Sequence, residues 1–261
     1  MKKIPQDIVG NIAILKFPKK TFWIIRKIKA NKFLKENKTV TTVLEKTTGF
    51  SGELRTLTTK YLAGIKTKQA TYKENGCTFK FNVDESYFSP RLSNERKVIA
   101  DEVVNLVKKK HMKILVMFAG ISPYPIVIAK KLKEAGKFAE IVSNELNEVA
   151  NKESVKNITL NKVQNYVKLL NGDAKKLPSK TKDKFDIILM PRPNLDDTFL
   201  KTALKLSKRG TVIFYHGFGT KEEVLSEIKK DTRGKIGSVK IRKAGDIGAY
   251  KFRWQASFGV R

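Results

Sequence analysis

The apolar run Val116-Met117-Phe118 leads straight into Ala119-Gly120-Ile121-Ser122, a turn of small residues that lets backbone come close to a ligand. Further on, Ile141-Val142-Ser143 ends in Asn144-Glu145, and Asn171-Gly172-Asp173-Ala174 follows. A strand entering a tight turn, with an acid at the end of the next strand, is how a parallel sheet holds a nucleoside at its C-terminal edge. On this reading Glu145 accepts hydrogen bonds from ribose hydroxyls. Asp173 accepts one from the exocyclic amine of adenine, whose edge also meets the Ala174 N–H. A plain turn role within Asn-Gly-Asp is the competing reading of Asp173. No second glycine pair and no Walker lysine follows Gly120, so nothing cradles a pyrophosphate. That favours S-adenosylmethionine over NAD or ATP.

A second cluster is Tyr87-Phe88-Ser89-Pro90-Arg91-Leu92-Ser93-Asn94-Glu95-Arg96. Ser93 or Asn94 suits a helix cap, with Glu95 in the first turn near the positive end of the dipole. The other reading is chemical. A carboxylate can take a proton from a substrate nitrogen, an arginine can offset charge developing on a base, and an aromatic ring can hold that base in place.

The elements that must position these residues follow from periodicity. Residues 7–17 read as a strand around a Gly-Asn turn, and 21–37 as a helix with Phe22, Ile25, Ile28, Phe33 and Leu34 on one face under a basic one. Strands are expected over 39–46 and 52–65, and a hairpin over 70–84 turning at Glu74-Asn75-Gly76. These make a small α+β unit over residues 1–84. From a helix at 92–110 the pattern alternates: strand 113–118, helix 123–135, strand 138–143, helix 147–161 and strand 166–170. Strand 185–190, helix 196–207, strand 210–215, helix 220–231 and paired strands near 236–243 and 248–259 complete it. Such alternation predicts an α/β domain over 85–261, with a doubly wound, mostly parallel sheet whose last two strands pair antiparallel. That is the Rossmann-like methyltransferase plan.

Lys+Arg number 54 against 25 Asp+Glu, a net charge of +29 spread along the whole chain. A Lys-rich solvated surface accounts for part of it, but a charge this large attracts polyanions, so nucleic acid is the expected partner. Cys77 is the single cysteine, which suits a reducing compartment. With only His111 and His216 beside it, no metal site is expected. Neither a signal peptide nor a membrane-spanning run stands out, so the expectation is a cytoplasmic protein, not membrane-bound, and a monomer.

From Asp7 to its end the chain resembles the archaeal tRNA (guanine-37-N1)-methyltransferase family of class I, Rossmann-like enzymes. The resemblance rests on Asp7–Leu15, Gly52-Glu53-Leu54-Arg55-Thr56, Glu74–Val83, Tyr87–Arg96, Phe118-Ala119-Gly120-Ile121, Asn157–Val163 and Asn171–Ala174. It implies S-adenosylmethionine as cofactor and the tRNA anticodon loop as partner. It implies Glu95 as the general base that takes the proton from guanine N1. Arg55 falls where an arginine contacts the guanine oxygen, and Tyr87 on the aromatic packed against the flipped base. Arg96 falls on a residue at the cofactor's methionine end, and Glu145, with Leu146 beside it, on the ribose-binding acid. Asp173 and Ala174 match the adenine-contacting pair, and Phe118 to Ser122 the cofactor turn.

The chain departs from the family pattern in three ways. The resemblance implies an additional small N-terminal domain in most relatives, and the expectation here is a chain that starts at the second domain. Ser122 stands where relatives have Gly. Pro191-Arg192-Pro193 replaces Asn-Leu-Pro; Pro193 is kept, Pro191 has no amide to offer a base, and Asn194 is the neighbouring candidate for that contact. The leading expectation is therefore methyl transfer to N1 of guanine 37. Alternatives are action on a tricyclic wyosine precursor, aminocarboxypropyl transfer, which the retention of Arg55 and Glu95 argues against, and a basic tRNA-binding module without catalysis.

Overall fold

The computed structural model describes residues 4–49, 52, 54–108, 111–248 and 251–261. The N-terminal part opens with β1 (Gln6–Val9) and β2 (Ile12–Leu15), a hairpin across Gly10-Asn11, followed by α1 (Trp23–Glu36), β3 (Thr42–Lys46) and β4 (Thr59–Gly64). They form a sheet in the order β1-β2-β3-β4, in which only β2 and β3 run parallel. The hairpin β5 (Gln69–Glu74) and β6 (Cys77–Asn82) follows, turning where Asn75 and Gly76 both hold positive φ (48° and 71°), as a two-residue primed turn requires. Gly10 is obligatory: at φ +58° it lies so close to β5 that a Cβ would stand 1.9 Å from the Thr71 carbonyl oxygen. Asn11 Oδ1 accepts the Thr71 amide at 2.6 Å.

The larger sheet follows α2 (Ser93–Leu106). Its elements are β7 (Met112–Val116), α3 (Pro123–Glu134), β8 (Ala139–Ser143), α4 (Glu148–Leu160), β9 (Val167–Leu169), the short α5 (Leu177–Lys180), β10 (Phe185–Met190), α6 (Leu200–Leu206), β11 (Ser207–Gly219), α7 (Lys221–Thr232), β12 (Lys240–Gly248) and β13 (Lys251–Gly259). The strand order is β12-β13-β11-β10-β7-β8-β9, parallel from β11 to β9, with β13 antiparallel to both its neighbours. The doubly wound expectation holds. Ile114 and Val116 face a core shared with α2, α3 and α4, while Leu115 and Met117 face one shared with α6 and α7. Burial on both faces explains why these strands read as unbroken apolar runs. The chain winds outward on both sides of β7, so the order reverses between β7 and β10, the place where sheets of this kind take a ligand beyond the strand ends.

Several expected boundaries move. The predicted strand 52–65 is extended only from Thr59, because Gly52 and Arg55 both take positive φ in a turn (70° and 50°). Glu53 lies outside the described residues. The helix expected to reach 110 ends at Leu106; residues 109–110 lie outside the description, as do 249–250 between the last two strands. Helix 196–207 begins only at Leu200, since Asp197 Oδ1 accepts the Phe199 amide (2.7 Å) and Phe199 sits at φ 59°. Strand 210–215 extends over all of β11, and β12 starts later than expected, Ile236 making a lone bridge to Val260. On α1, Ala30 is buried with Phe33 and Leu34 packed against it, whereas Phe22, Trp23, Ile24, Ile25 and Ile28 are exposed. The apolar spacing over 22–28 marks a surface there and not a core face.

One interlock joins the β5–β6 hairpin to the larger sheet. Glu153, Asn157 and Asn161 lie four residues apart along α4 and its C-cap, a rise of about 6 Å per step. Thr78, Lys80 and Asn82 lie two apart along the free edge of β6, about 6.7 Å per step. The two spacings match, so each side chain meets one peptide. Asn161 accepts from the Thr78 amide (2.8 Å) and donates to its carbonyl (2.7 Å); Asn157 does the same for Lys80 (2.8 and 3.1 Å). Glu153 accepts the Asn82 amide at 2.6 Å and also bonds Ser86. Cys77, Phe79 and Phe81 thereby point into the core that holds Ile99, Val116 and Ile126, and packing is continuous across residue 84. Asn157→Ala leaves both Lys80 backbone groups without their side-chain partner. It is expected to lower stability by about 1–3 kcal/mol, read as a reduced urea midpoint at unchanged m-value.

Candidate active site

Three of the six residues that follow β7 up to the start of α3, Phe118, Gly120 and Ser122, hold positive φ (56°, 58° and 64°). This chain places a serine in the last of those left-handed positions and secures it with its hydroxyl. Ser122 is fully buried, and its Oγ meets Ser143 Oγ at 2.8 Å and Ser154 Oγ at 2.9 Å, while Ser154 Oγ donates to the Gly120 carbonyl (3.1 Å). Ala119 and Ile121 face the core, the Ala119 amide bonding the Asn144 carbonyl at 2.8 Å. Phe118 lies edge-on to Phe199, centroids 4.9 Å apart. A Cβ on Gly120 would come 3.4 Å from the Tyr87 carbonyl oxygen, so this turn touches the 87–96 segment.

Glu145 binds the strand ends to one another. Its Oε2 accepts the Gly120 amide (2.7 Å), and its Oε1 accepts the amides of Leu146 and Asn147 (2.9 Å each). Its carbonyl accepts the Gly172 amide at 2.8 Å, and Asn144 Nδ2 donates to the carbonyls of Leu170 and Gly172. Asp173 Oδ1 accepts the Lys175 amide (2.8 Å), capping a 3-10 turn that starts at the buried Ala174. The turn role is therefore present. Phe118–Ser122, Glu145–Leu146 and Asp173–Ala174 come together at the ends of β7, β8 and β9. Asn147, which caps α4 and donates to the Glu85 carbonyl at 2.7 Å, was readable as a cap ahead of Glu148. The supporting Ser143, Asn144 and Ser154 carry no sequence signal.

The 87–96 segment makes one 3-10 turn, Pro90–Leu92, before α2. Leu92 is the N-cap and no side chain caps the helix, so neither Ser93 nor Asn94 takes that role; both already lie inside the first turn. Glu95 is only 5% exposed. Arg242 donates to both its oxygens, Nη1 to Oε2 at 2.6 Å and Nη2 to Oε1 at 2.9 Å, and His216 Nε2 stands 3.3 Å from Oε1. Burial pushes the Glu95 carboxyl up, but the hydrogen bonds from His216 and Arg242 outweigh it and hold it below the usual carboxylate range. Burial pushes His216 down despite Glu95 beside it, so the ring is neutral. An ionised Glu95 then requires the ring proton on Nε2, which leaves Nδ1 an acceptor with no partner.

Arg96, the next residue, is buried in a two-bonded pair with Glu74 at the end of β5, its Nη2 2.6 Å from Oε2 and 3.0 Å from the Ser89 carbonyl. Its guanidinium lies over the Phe88 ring (4.9 Å) and near that of Tyr124 (6.0 Å). Arg55 and Tyr87 form their own pair, the guanidinium carbon 5.4 Å from the ring centroid, and the buried Arg55 Nε has no partner.

After β10, Pro193 is half-buried and Asn194 exposed. Arg192, which sequence reasoning treated only as part of a departure, is the centre of this loop. It is buried against Tyr215, donates to the Leu195 carbonyl (2.8 Å) and the Tyr215 hydroxyl (3.0 Å), and faces Glu227 at 3.3 Å. Sequence reasoning also missed the role of His216, Arg242 and Gln255. They lie opposite one another across β11, β13 and β12, so they share one face. No local signal announces them, because His216 and Arg242 reach Glu95 from 121 and 147 residues away. No helix among the described residues is long and apolar enough to cross a membrane.

The family model of the TRM5/TYW2 methyltransferase domain matches residues 70–238. Among curated relatives, the tRNA (guanine(37)-N(1))/4-demethylwyosine(37)-methyltransferase Taw22 of Nanoarchaeum equitans is 34% identical over 95% of this chain and 96% of its own length. The tRNA (guanine(37)-N(1))-methyltransferase Trm5b of Pyrococcus abyssi is 35% identical over 82% of this chain, which spans 59% of that protein. The crystal structure of P. abyssi Trm5b superimposes with a TM-score of 0.80 at 28% identity, covering 98% of this chain and 74% of that one. The site geometry itself yields a stability test. Glu74→Ala strands the Arg96 charge in the core and is expected to cost about 3–5 kcal/mol, measured by chemical denaturation.

Proposed function

The chain belongs to the TRM5/TYW2 methyltransferase family, and from the arrangement around Glu95 we propose that it methylates N1 of guanine 37 in tRNA. The observation that carries this reading is a buried carboxylate kept ionised, at the start of a helix, beside the turn of a nucleoside-binding sheet edge. Guanine N1 bears a proton that must leave before its lone pair can attack. Glu95 accepts that proton. Arg55 lies against the guanine oxygen and offsets its developing charge, and Tyr87 stacks on the extruded base, with Pro193 and Asn194 at its border. Extrusion costs a few kcal/mol, less from a loop than from a duplex.

The residues at the strand ends fit S-adenosylmethionine. Gly120 adds no side chain to the cleft beside Tyr87, Glu145 and Asp173 offer acceptors, and the buried Tyr124 hydroxyl below the turn lacks a partner. When bound, the cofactor supplies an electrophilic methyl group. Glu145 and Leu146 hold its ribose, Asp173 and Ala174 its adenine, Phe118 to Ser122 line the turn, and Arg96 stands by the methionine end. Residues 1–84 serve tRNA recognition and 85–261 transfer. The exposed Trp23, with Lys27 Nζ 5.2 Å from its ring centroid, suits stacking by an unpaired base on a basic helix.

One observation supports a second reading, methyl transfer to the 4-demethylwyosine that forms part of the Taw22 name. Pro191 replaces an amide donor, and the loop takes its shape from Arg192. Methyl transfer from labelled S-adenosylmethionine to unmodified transcripts with guanine or adenine at position 37, and to tRNA carrying 4-demethylwyosine there, with the product nucleoside identified by mass spectrometry, decides. The proposal expects 1-methylguanosine from the guanine transcript alone; label only on tRNA carrying the wyosine precursor contradicts it. Glu145→Ala is expected to weaken cofactor binding by about 1–3 kcal/mol in calorimetry and to leave tRNA affinity unchanged. The pH dependence follows from the Glu95 environment, in which His216, Arg242 and Tyr124 face it from β11, β12 and α3, Glu102 acts on it from its own helix, and Arg253 on β13 acts on His216 and Tyr124. A base whose pKa is depressed in the free protein stays ionised as pH falls through neutrality. The acid limb of kcat/KM is therefore expected below the usual carboxylate range.

A further inference from the structure

The Glu95 carboxylate already has an occupant. The fork of Arg242 lies across it and fills both oxygens with a pair of parallel N–H donors, the arrangement that best satisfies a carboxylate. Guanine presents the same pair on its Watson–Crick edge, where N1–H and the exocyclic amine stand side by side. Adenine has a bare N1 lone pair in that place. A tricyclic derivative whose third ring ties up N1 and the amine has lost the pair altogether. In the free protein, Arg242 thus holds the two acceptor positions a guanine edge would use, including the oxygen that would take the N1 proton.

Arg242 is placed to give way. Its side chain is 35% exposed, against 5% for Glu95 and 1% for His216. Its Nε is buried without a partner, so no third hydrogen bond anchors the guanidinium. β12 is the outermost strand of its sheet, and its ladder with β13 shifts register just beyond Arg242, between Lys243 and Gly245. Around Glu95, by contrast, the polar groups are buried and unsatisfied. Gln255 Nε2, His216 Nδ1 and the Tyr124 hydroxyl have no partners, and Gln255 lies between His216 and Arg242 on the same face of the sheet. Buried polar atoms are costly to leave unpaired, and three of them in one cluster point to a polar ligand.

We infer that Arg242 is an internal stand-in for the guanine edge, closing Glu95 in the free protein and exchanging places with N1–H and the exocyclic amine when the base enters. The inference rests on the guanine reading of the site and adds a device that keeps its base covered until a two-donor edge arrives. Arg242 is a positioning residue in this scheme, acting through Glu95.

The test is the contribution of the base to binding, measured with anticodon stem-loops carrying guanine, adenine or an abasic residue at position 37. Calorimetry is run at mildly alkaline pH, with S-adenosylhomocysteine present, on wild type, Arg242→Met and Arg242→Lys. Comparing guanine with abasic RNA within each protein cancels the loss of attraction to phosphates. If Arg242 competes with the base, the guanine-to-abasic affinity ratio rises about tenfold in Arg242→Met and by less in Arg242→Lys, which keeps the charge without the fork. A ratio unchanged or lowered in Arg242→Met, with guanine still preferred over adenine, overturns the stand-in and leaves the proposed function standing. Wild type that binds guanine no better than adenine overturns the guanine reading itself.

Discussion

Two asparagine amides hold the site together from a distance. Asn157 and Asn161 bond the edge of β6 peptide by peptide, and through that edge α4 fixes the whole β5–β6 hairpin. The hairpin ends β5 at Glu74; Glu74 holds Arg96; and Arg96, one residue from Glu95, sets the rotation of the first turn of α2. α4 itself is capped by Asn147, whose amide bonds the carboxylate of Glu145, which also takes the amide of Gly120. α4 therefore ties the nucleoside-binding edge at its N-terminus to the carboxylate-bearing segment along its length. A shift of α4 along its axis would move both together, so their relative placement survives small motions of either.

Two buried ion pairs lie side by side in this region and differ in kind. Arg96 and Glu74 are both almost wholly removed from solvent, with bonds to a carbonyl and contact with rings completing the arginine's surroundings. Such a pair is permanent, because separating it leaves two uncompensated charges. Glu95 and Arg242 are unequal: the acid is buried and backed by His216, while the arginine reaches in from an outer strand and remains partly in water. That pair can open at the arginine's side. The rigid pair holds the backbone in register and the exchangeable one sits where chemistry needs access.

The sequence carried the parts of this account that depend on local chemistry. Alternating periods revealed the doubly wound sheet, Asn75-Gly76 announced the hairpin turn, and the small residues from Ala119 to Ser122, with Glu145 and Asp173 beyond, marked the edge where they in fact meet. What it could not show depends on which strands pair. Arg242 and His216 reach Glu95 only because β12, β13 and β11 are adjacent, and Arg192 finds Tyr215 and Glu227 only because β10 lies beside β11, on which α7 packs. Helix capping misled at Ser93 and Asn94, since the preceding 3-10 turn brings the chain into helical geometry before either residue is reached. Apolar spacing misled at the start of α1, where the side chains of Phe22, Trp23 and Ile28 lie outside any core.

The central claim is that the Glu95 carboxylate removes the proton from the target nitrogen, and single-turnover methyl transfer by Glu95→Gln measures it most directly, alongside cofactor affinity for the same protein. Gln preserves the size and hydrogen-bonding reach of Glu95 but cannot accept the proton. The account predicts a rate lowered about a hundredfold or more, with cofactor affinity unchanged. An unaltered rate, or an equal loss of rate and cofactor affinity, would contradict it.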